Sequence, residues 1–419
     1  MAKRACWAAS LTILMLAAMA CTSAPGSDPD QPATESPDVA PSEEMSGSVL
    51  SVWIDPNLVG ALELVAPQFH AATGFEIDVK VMALDDIRTE VAMAAASSDG
   101  PDIFAGRHWW TGQLVEDNLV VPLDLSSIAD QLVGPVSDGF LYNQRFYGLP
   151  YGAESLVLYR NTDMVADAPE SFEQIIDHCA TAEPEMCLLV PGGHEQGDAF
   201  HNYPFVSAFG GYTVGFEDGV GFDRSDFGLE SEQTIQGLEY LGMLVTDDVL
   251  ASTNYEQAKR GFLDGLAPYY VTGPWEYDNI VESEISFEVS VIPPIGDAPS
   301  QSFVEAGGLF LAARSQHKLP AVSLLLDYLA TEQAMALINE SSAMATPWAA
   351  LVSPDEEATG DIRAVLYQSV ADGVVVPNLA RMDELWQPLG AQLLAVRQGE
   401  RSPRRAMSAI SEVFEATGR

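Results

Sequence analysis

The chain has 419 residues, with 61 acidic against 19 basic side chains and a formal net charge of −42 at pH 7. A surface so acidic excludes the basic face that a phosphate backbone requires, so nucleic acid is not expected as a partner. Roughly 370 residues follow the first 47, enough for two lobes, and a hydrophobic content of 47% is ordinary for a folded body.

The first segment is a leader. Met1-Ala2-Lys3-Arg4 is basic, residues 11–16 are apolar, and Ala17-Ala18-Met19-Ala20 precede Cys21. This is the pattern of a secretory signal over 1–20, with an apolar run too short to span a bilayer. Placing Cys21 at the cut resembles a bacterial lipoprotein signal, in which that cysteine is lipidated. Ala18 stands where such signals usually carry Leu. Residues 21–47 are rich in Pro, Ser, Asp and Glu, and they read as a disordered tether reaching about 25–30 Å.

The body opens with a strand over 48–54, broken by Asp55-Pro56-Asn57. Leu58, Leu62, Val65, Phe69 and Ala72 recur at helical spacing, with Pro67 as an expected kink. Phe75, Ile77, Val79 and Val81 alternate with charged residues and predict a strand with one buried face. A helix over 84–97 and a strand from 100 to 104 complete a βαβ pattern with a largely parallel sheet. A second lobe begins near Leu156, with a short strand over 157–159. Ser171 and Gln174 read as a capping box for a helix through His178. The expected order is then helices over 232–245 and 255–263, strands over 267–272, 287–292 and 308–313, and a helix over 319–330. Helices over 361–371 and 382–397 follow, and a last one starts at Ser402-Pro403. Of four cysteines, Cys6 leaves with the leader and Cys21 is the lipidation site. Cys179 and Cys187 are eight apart, read as a local disulfide in an oxidising compartment or as two free thiols.

An ordered series of short motifs resembles the sugar-binding proteins of ABC importers, in particular the maltose/maltodextrin-binding family. The motifs are Leu50-Ser51-Val52-Trp53-Ile54, Phe69-His70-Ala71-Ala72-Thr73-Gly74, Gly100-Pro101-Asp102-Ile103 and Tyr147-Gly148-Leu149-Pro150-Tyr151-Gly152-Ala153-Glu154. Further along stand Gly210-Gly211-Tyr212, Thr272-Gly273-Pro274-Trp275-Glu276-Tyr277, and Pro377-Asn378-Leu379 with Trp386. The resemblance covers residues 48–419. It implies an α/β, two-lobed periplasmic-binding-protein-like fold (type II), with a hinge and central, largely parallel sheets carrying an out-of-order strand. Lobe I is expected over 48–153 and 307–355, and lobe II over 156–303 and 362–419. The hinge is expected near 153–156, 303–307 and 354–362. It implies an oligosaccharide ligand, delivery to ABC permease subunits with a cytoplasmic ATPase, attachment to the outer face of the membrane through the lipid anchor, a monomer, and no cofactor or metal.

Sugars present hydroxyls that need directional partners and C–H faces that stack on aromatic rings, so the site should combine carboxylates or amides with Trp, Tyr and Phe. The resemblance assigns Asp55 and Asn57 after the first strand, with a helix N-cap as the competing role of Asp55. It assigns Trp109 and Trp110, where relatives place Asp and then Arg or Trp. It assigns Glu154 at the first crossover, Asp198 and Phe200 where the family has Glu and Tyr, Trp275 and Tyr277 after a Gly-Pro turn, and Trp386 early in a helix. Gly390 stands where the family carries Arg. His194, Asp198 and His201 lack zinc spacing. Two alternatives remain: a glycoside hydrolase using Glu154 and Asp198 as a carboxylate pair, and a sugar-sensing lipoprotein of the same fold.

Overall fold

The computed structural model describes residues 48–94, 100–192, 197–251, 253–352 and 362–417. The leader, Cys21, the tether, His194 and the greater part of the crossover expected at 354–362 lie outside the described residues. In chain order the strands are β1 (Val49–Ile54), β2 (Glu76–Val81), β3 (Ile103–Arg107), β4 (Leu141–Tyr142), β5 (Arg145–Phe146), β6 (Gly148–Glu154), β7 (Val157–Asn161), β8 (Leu188–Leu189), β9 (Val214–Glu217), β10 (Gly221–Phe227), β11 (Tyr269–Thr272), β12 (Phe287–Ser290), β13 (Phe303–Leu311) and β14 (Val374–Val375).

The first sheet runs β14-β13-β3-β1-β2, with β6 also paired to β13. β1 is parallel to both neighbours, as helix-linked strands should be. Its position between them explains why Leu50, Val52, Trp53 and Ile54 are all buried. β2 is the edge strand, and the expected buried face is corrected there. Phe75 is buried, but Val79 is 38% and Val81 48% exposed. At the edge, Lys80 lays its ammonium 4.5 Å from the Trp53 ring. β13 is the out-of-order strand, returning after the second lobe to run antiparallel to β3 and β6.

The second sheet runs β12-β7-β11-β8. It departs from the largely parallel expectation, because β7 is antiparallel to both β11 and β12 and the β11–β8 pair is parallel. β7 follows β6 across Ser155-Leu156, so the chain passes there from the first sheet into the second. Apolar cores fill both lobes. One gathers Leu50, Val52, Phe104 and Phe310, the other Leu156, Phe172, Leu238 and Leu389.

The helix Val59–Thr73 buries Leu62, Val65 and Phe69 and stops at Gly74, whose φ of 76° closes the last turn. Pro67 lies inside it on the exposed side. The capping box expected at Ser171 is absent from the helix Phe172–Ala182, since Gln174 turns instead to the Glu170 N–H at 2.9 Å. A reciprocal box does open the helix Tyr255–Leu263, between Asn254 and Gln257. The helix expected over 319–330 forms as Lys318–Ser323 and then widens to a π-helical segment, Leu324–Leu329. Cys179 and Cys187 form a disulfide, with Cα atoms 5.6 Å apart. It joins the end of the helix Phe172–Ala182 to the start of β8.

Candidate ligand cleft

Strand pairing assembles the floor of the cleft from residues far apart in sequence. Glu154 on β6 lies opposite Glu305 on β13, and Arg107 on β3 lies opposite Gly307 on the same strand. Arg107 makes an ion pair with Glu305. The other Glu305 oxygen accepts the Trp109 indole N–H at 3.0 Å. Between Arg107 and Trp109, His108 is fully buried. Its Nδ1 accepts the Ala306 N–H at 2.9 Å, so its Nε2 carries the proton and donates to the Val376 carbonyl at 2.8 Å. Burial pushes its pKa down to about 4.

Three contiguous cavities meet at Glu154. The first, of about 530 Å³, is walled by Trp109, Phe200, Trp275, Met382 and Trp386 and bordered by Arg107, Asp198 and Glu305. The second, of about 300 Å³, is polar, with Asp55, Asn57, Asp85 and Tyr151. The third, of about 520 Å³, includes Asn57, Trp275, Tyr277 and Asp278. Burial raises the Glu154 pKa, with Arg107 opposing and Asp55 reinforcing. Strand β6 therefore places one carboxylate at the border of all three.

The aromatic wall is fixed by packing and by a buried charge. Trp275 lies in the single turn Pro274–Glu276, 38% exposed. A Cβ on Gly273 would fall 2.1 Å from its ring, so the indole can fold back only over a glycine. Phe200 and His201 contact it edge-on at 6.1 and 5.8 Å. The next residue, Glu276, is buried and anchors the turn through Lys259 at 3.0 Å, Asn279 at 2.9 Å and the Tyr255 hydroxyl. Behind the wall, buried Arg397 donates to the Val190 and Ala251 carbonyls and to Asn202 Oδ1.

Every expected ligand residue borders a cavity except Trp110. That expectation is corrected: Trp110 is 1% exposed and is core. The Trp109 ring packs edge-on against it at 6.0 Å, and the Arg88 guanidinium sits 5.4 Å from both rings. Asp55 is a cap and also borders a cavity. It caps the turn Pro56–Leu58 by accepting the Asn57 N–H at 2.9 Å, and it accepts the Tyr151 hydroxyl at 2.5 Å while bordering the second cavity. Asp198 is largely committed within the protein. It accepts the His201 backbone N–H at 2.9 Å and pairs with Nδ1 at 2.7 Å. Burial works to raise its pKa, but His201 and Arg397 outweigh it and hold the carboxyl below its usual range. A carboxylate so engaged is a poor partner for Glu154 in hydrolysis.

Gly390 also finds its reason. Gly197, with φ +66°, approaches so closely that a Cβ on it would lie 1.8 Å from the Gly390 carbonyl oxygen. The helix Met382–Arg397 takes the loop at Gly390, the position at which the resemblance implied Arg. Sequence reasoning missed Arg107, Asp85, His201, Glu305 and Met382 as lining residues. Glu305 had a readable signal: it is the one charge in the apolar run of β13, Phe-Val-Glu-Ala-Gly-Gly-Leu-Phe-Leu.

A groove between two α/β lobes, combining flat aromatic surfaces with carboxylates, defines a two-lobed solute-binding protein. Residues 65–359 match the family model of the bacterial extracellular solute-binding proteins, and the chain belongs to that family. It is 27% identical over 261 residues to a maltotriose-binding protein of Pyrococcus abyssi, a match spanning 60% of this chain and 54% of that one. A galactooligosaccharide-binding protein of Bacillus subtilis is 21% identical, across 87% of this chain and 88% of the relative. A maltooligosaccharide ABC transporter solute-binding lipoprotein of Streptococcus pneumoniae is 22% identical, across 88% of each chain. The crystal structure of a cyclo/maltodextrin-binding protein complexed with maltotetraose superposes with a TM-score of 0.79 at 20% identity, covering 88% of this chain and 97% of that one. That likeness establishes the two-lobe fold.

Proposed function

We propose that the protein binds maltose, maltodextrins or a related oligosaccharide outside the cell and delivers it to the permease of an ABC importer, without chemistry of its own. The observation that carries this reading is the first cavity, where Phe200, Trp275 and Trp386 offer stacking faces beside the Glu154 carboxylate. Stacking faces and hydroxyl acceptors are what a sugar needs. The relatives named for maltotriose and maltooligosaccharides support the sugar class. In this proposal the lobes rotate about 153–156, 303–307 and 354–362, with lobe I over 48–153 and 307–355 and lobe II over 156–303 and 362–419. The monomer is held on the outer face of the membrane by lipid on Cys21, and it works with permease subunits and a cytoplasmic ATPase.

Titration with maltose, longer maltodextrins, trehalose and unrelated disaccharides, followed by Trp fluorescence and product analysis, tests it. Saturable binding of an α-glucoside without turnover is expected; turnover, or binding of none of these sugars, sinks the reading. Cys21→Ala should release the protein to the medium with affinity intact, and retention at the cell surface would overturn the anchor.

A further inference from the structure

Glu154 and Glu305 lie opposite each other on adjacent strands, an arrangement that repels when both are ionised. The structure resolves this asymmetrically. Glu305 gives one oxygen to Arg107 and the other to the Trp109 indole, while the Glu154 carboxylate accepts no hydrogen bond from a described residue. Arg107, Glu154 and Glu305 all border both the aromatic and the polar cavity, so they sit at the passage between them. The charge of Arg107 is thereby spent on Glu305, although a guanidinium has five donors and keeps several for hydroxyls. The polar cavity beyond carries Asp55 and Asp85.

We infer that the Arg107–Glu305 pair determines selectivity for uncharged sugars at this passage. Resting on the oligosaccharide reading, it narrows that reading to neutral ligands. A neutral sugar spanning the passage meets Glu154 as acceptor and Arg107 as donor, a match for neighbouring hydroxyls. An anionic sugar meets Glu154, Asp55 and Asp85, with the Arg107 guanidinium at the passage already paired to Glu305. Glu305 is at the same time a positioning residue, since its second oxygen sets the plane of Trp109.

Calorimetric titration of the full chain with maltotriose (neutral) and maltobionate (anionic) tests this. Wild type should bind maltotriose and reject maltobionate by at least thirtyfold. Glu305→Gln keeps an acceptor for the indole but frees the charge of Arg107. Maltobionate affinity should then rise at least tenfold, with maltotriose affinity changed less than threefold. Arg107→Gln leaves two uncompensated carboxylates, and maltotriose affinity should fall at least tenfold. The double variant should recover to within threefold of wild type. Unaltered discrimination in Glu305→Gln, or equal loss in Arg107→Gln and the double variant, overturns this inference alone. Wild type binding neither probe overturns the oligosaccharide reading and this inference with it.

Discussion

The two surfaces of the cleft are built by different physics. The wall of Phe200, Trp275 and Trp386 is held by ring packing, by a glycine under the indole and by a close backbone approach. The floor of Arg107, Glu154 and Glu305 is held by strand register and by polar contacts between segments about 150 and 200 residues apart. Ring packing carries no proton, although the Trp275 turn also rests on the buried Glu276 and its Lys259 partner. A floor of this kind depends on which groups carry protons, and it can be dismantled by titration.

The sharpest way to separate the two is acid. His108 is neutral in the folded state, with a pKa lowered to about 4 from the ordinary 6.5, so between those values the unfolded chain binds the extra proton. Stability is therefore full above pH 6.5 and falls as pH drops toward 4, by on the order of 3 kcal/mol. Asp138, raised from 3.8 to about 6 by burial, contributes in the opposite sense from pH 6 downward, over all but the top of that window. Comparison of wild type with His108→Gln cancels it. Urea unfolding at pH 7 and pH 4.5 should show a clearly flatter pH dependence in the variant. Identical dependence would mean that the floor is not secured through His108.

The next test removes the wall. Trp275→Ala should weaken oligosaccharide binding by more than tenfold, about 1.4 kcal/mol or more, with little change in melting temperature because the side chain is 38% exposed. Unchanged affinity would place the ligand elsewhere. The smallest expected effect concerns the placement of the wall. Gly197→Ala adds a side chain at φ +66° against the Gly390 carbonyl, which costs about 1–2 kcal/mol for the conformation. The loop carrying Phe200 should shift and affinity fall about fivefold. If a titration shows no change, the Gly197–Gly390 approach is incidental to binding.

The wall was readable from sequence, and of the floor only Glu154 was. Trp275 and Trp386 stand in local motifs, a Gly-Pro turn and a helix start, whose residues lie within a few positions of one another. Helices Tyr255–Leu263 and Met382–Arg397 were legible for the same reason, because helical spacing is local. Arg107, Glu154 and Glu305 meet only after β13 returns to the first sheet. A pattern in one segment cannot reveal a partner two hundred residues away. The error at β2 has a related cause: alternation predicts two faces, but an edge position left Val79 and Val81 uncovered. Trp110 misled because adjacent tryptophans look alike in sequence, while a single turn sends one ring to the groove and the other into the core.

Glu154 ends the strand that leads from one sheet into the other. A group near the pivot of a rotation travels little, while groups on the wall travel in proportion to their lever arm. On the hinge proposed above, Glu154 should therefore grip a ligand about equally before and after closure, and an interaction equal in both states cannot drive the motion. In the proposed closure the floor supplies the first hold, and the difference in affinity that draws the lobes together comes from the far aromatic faces.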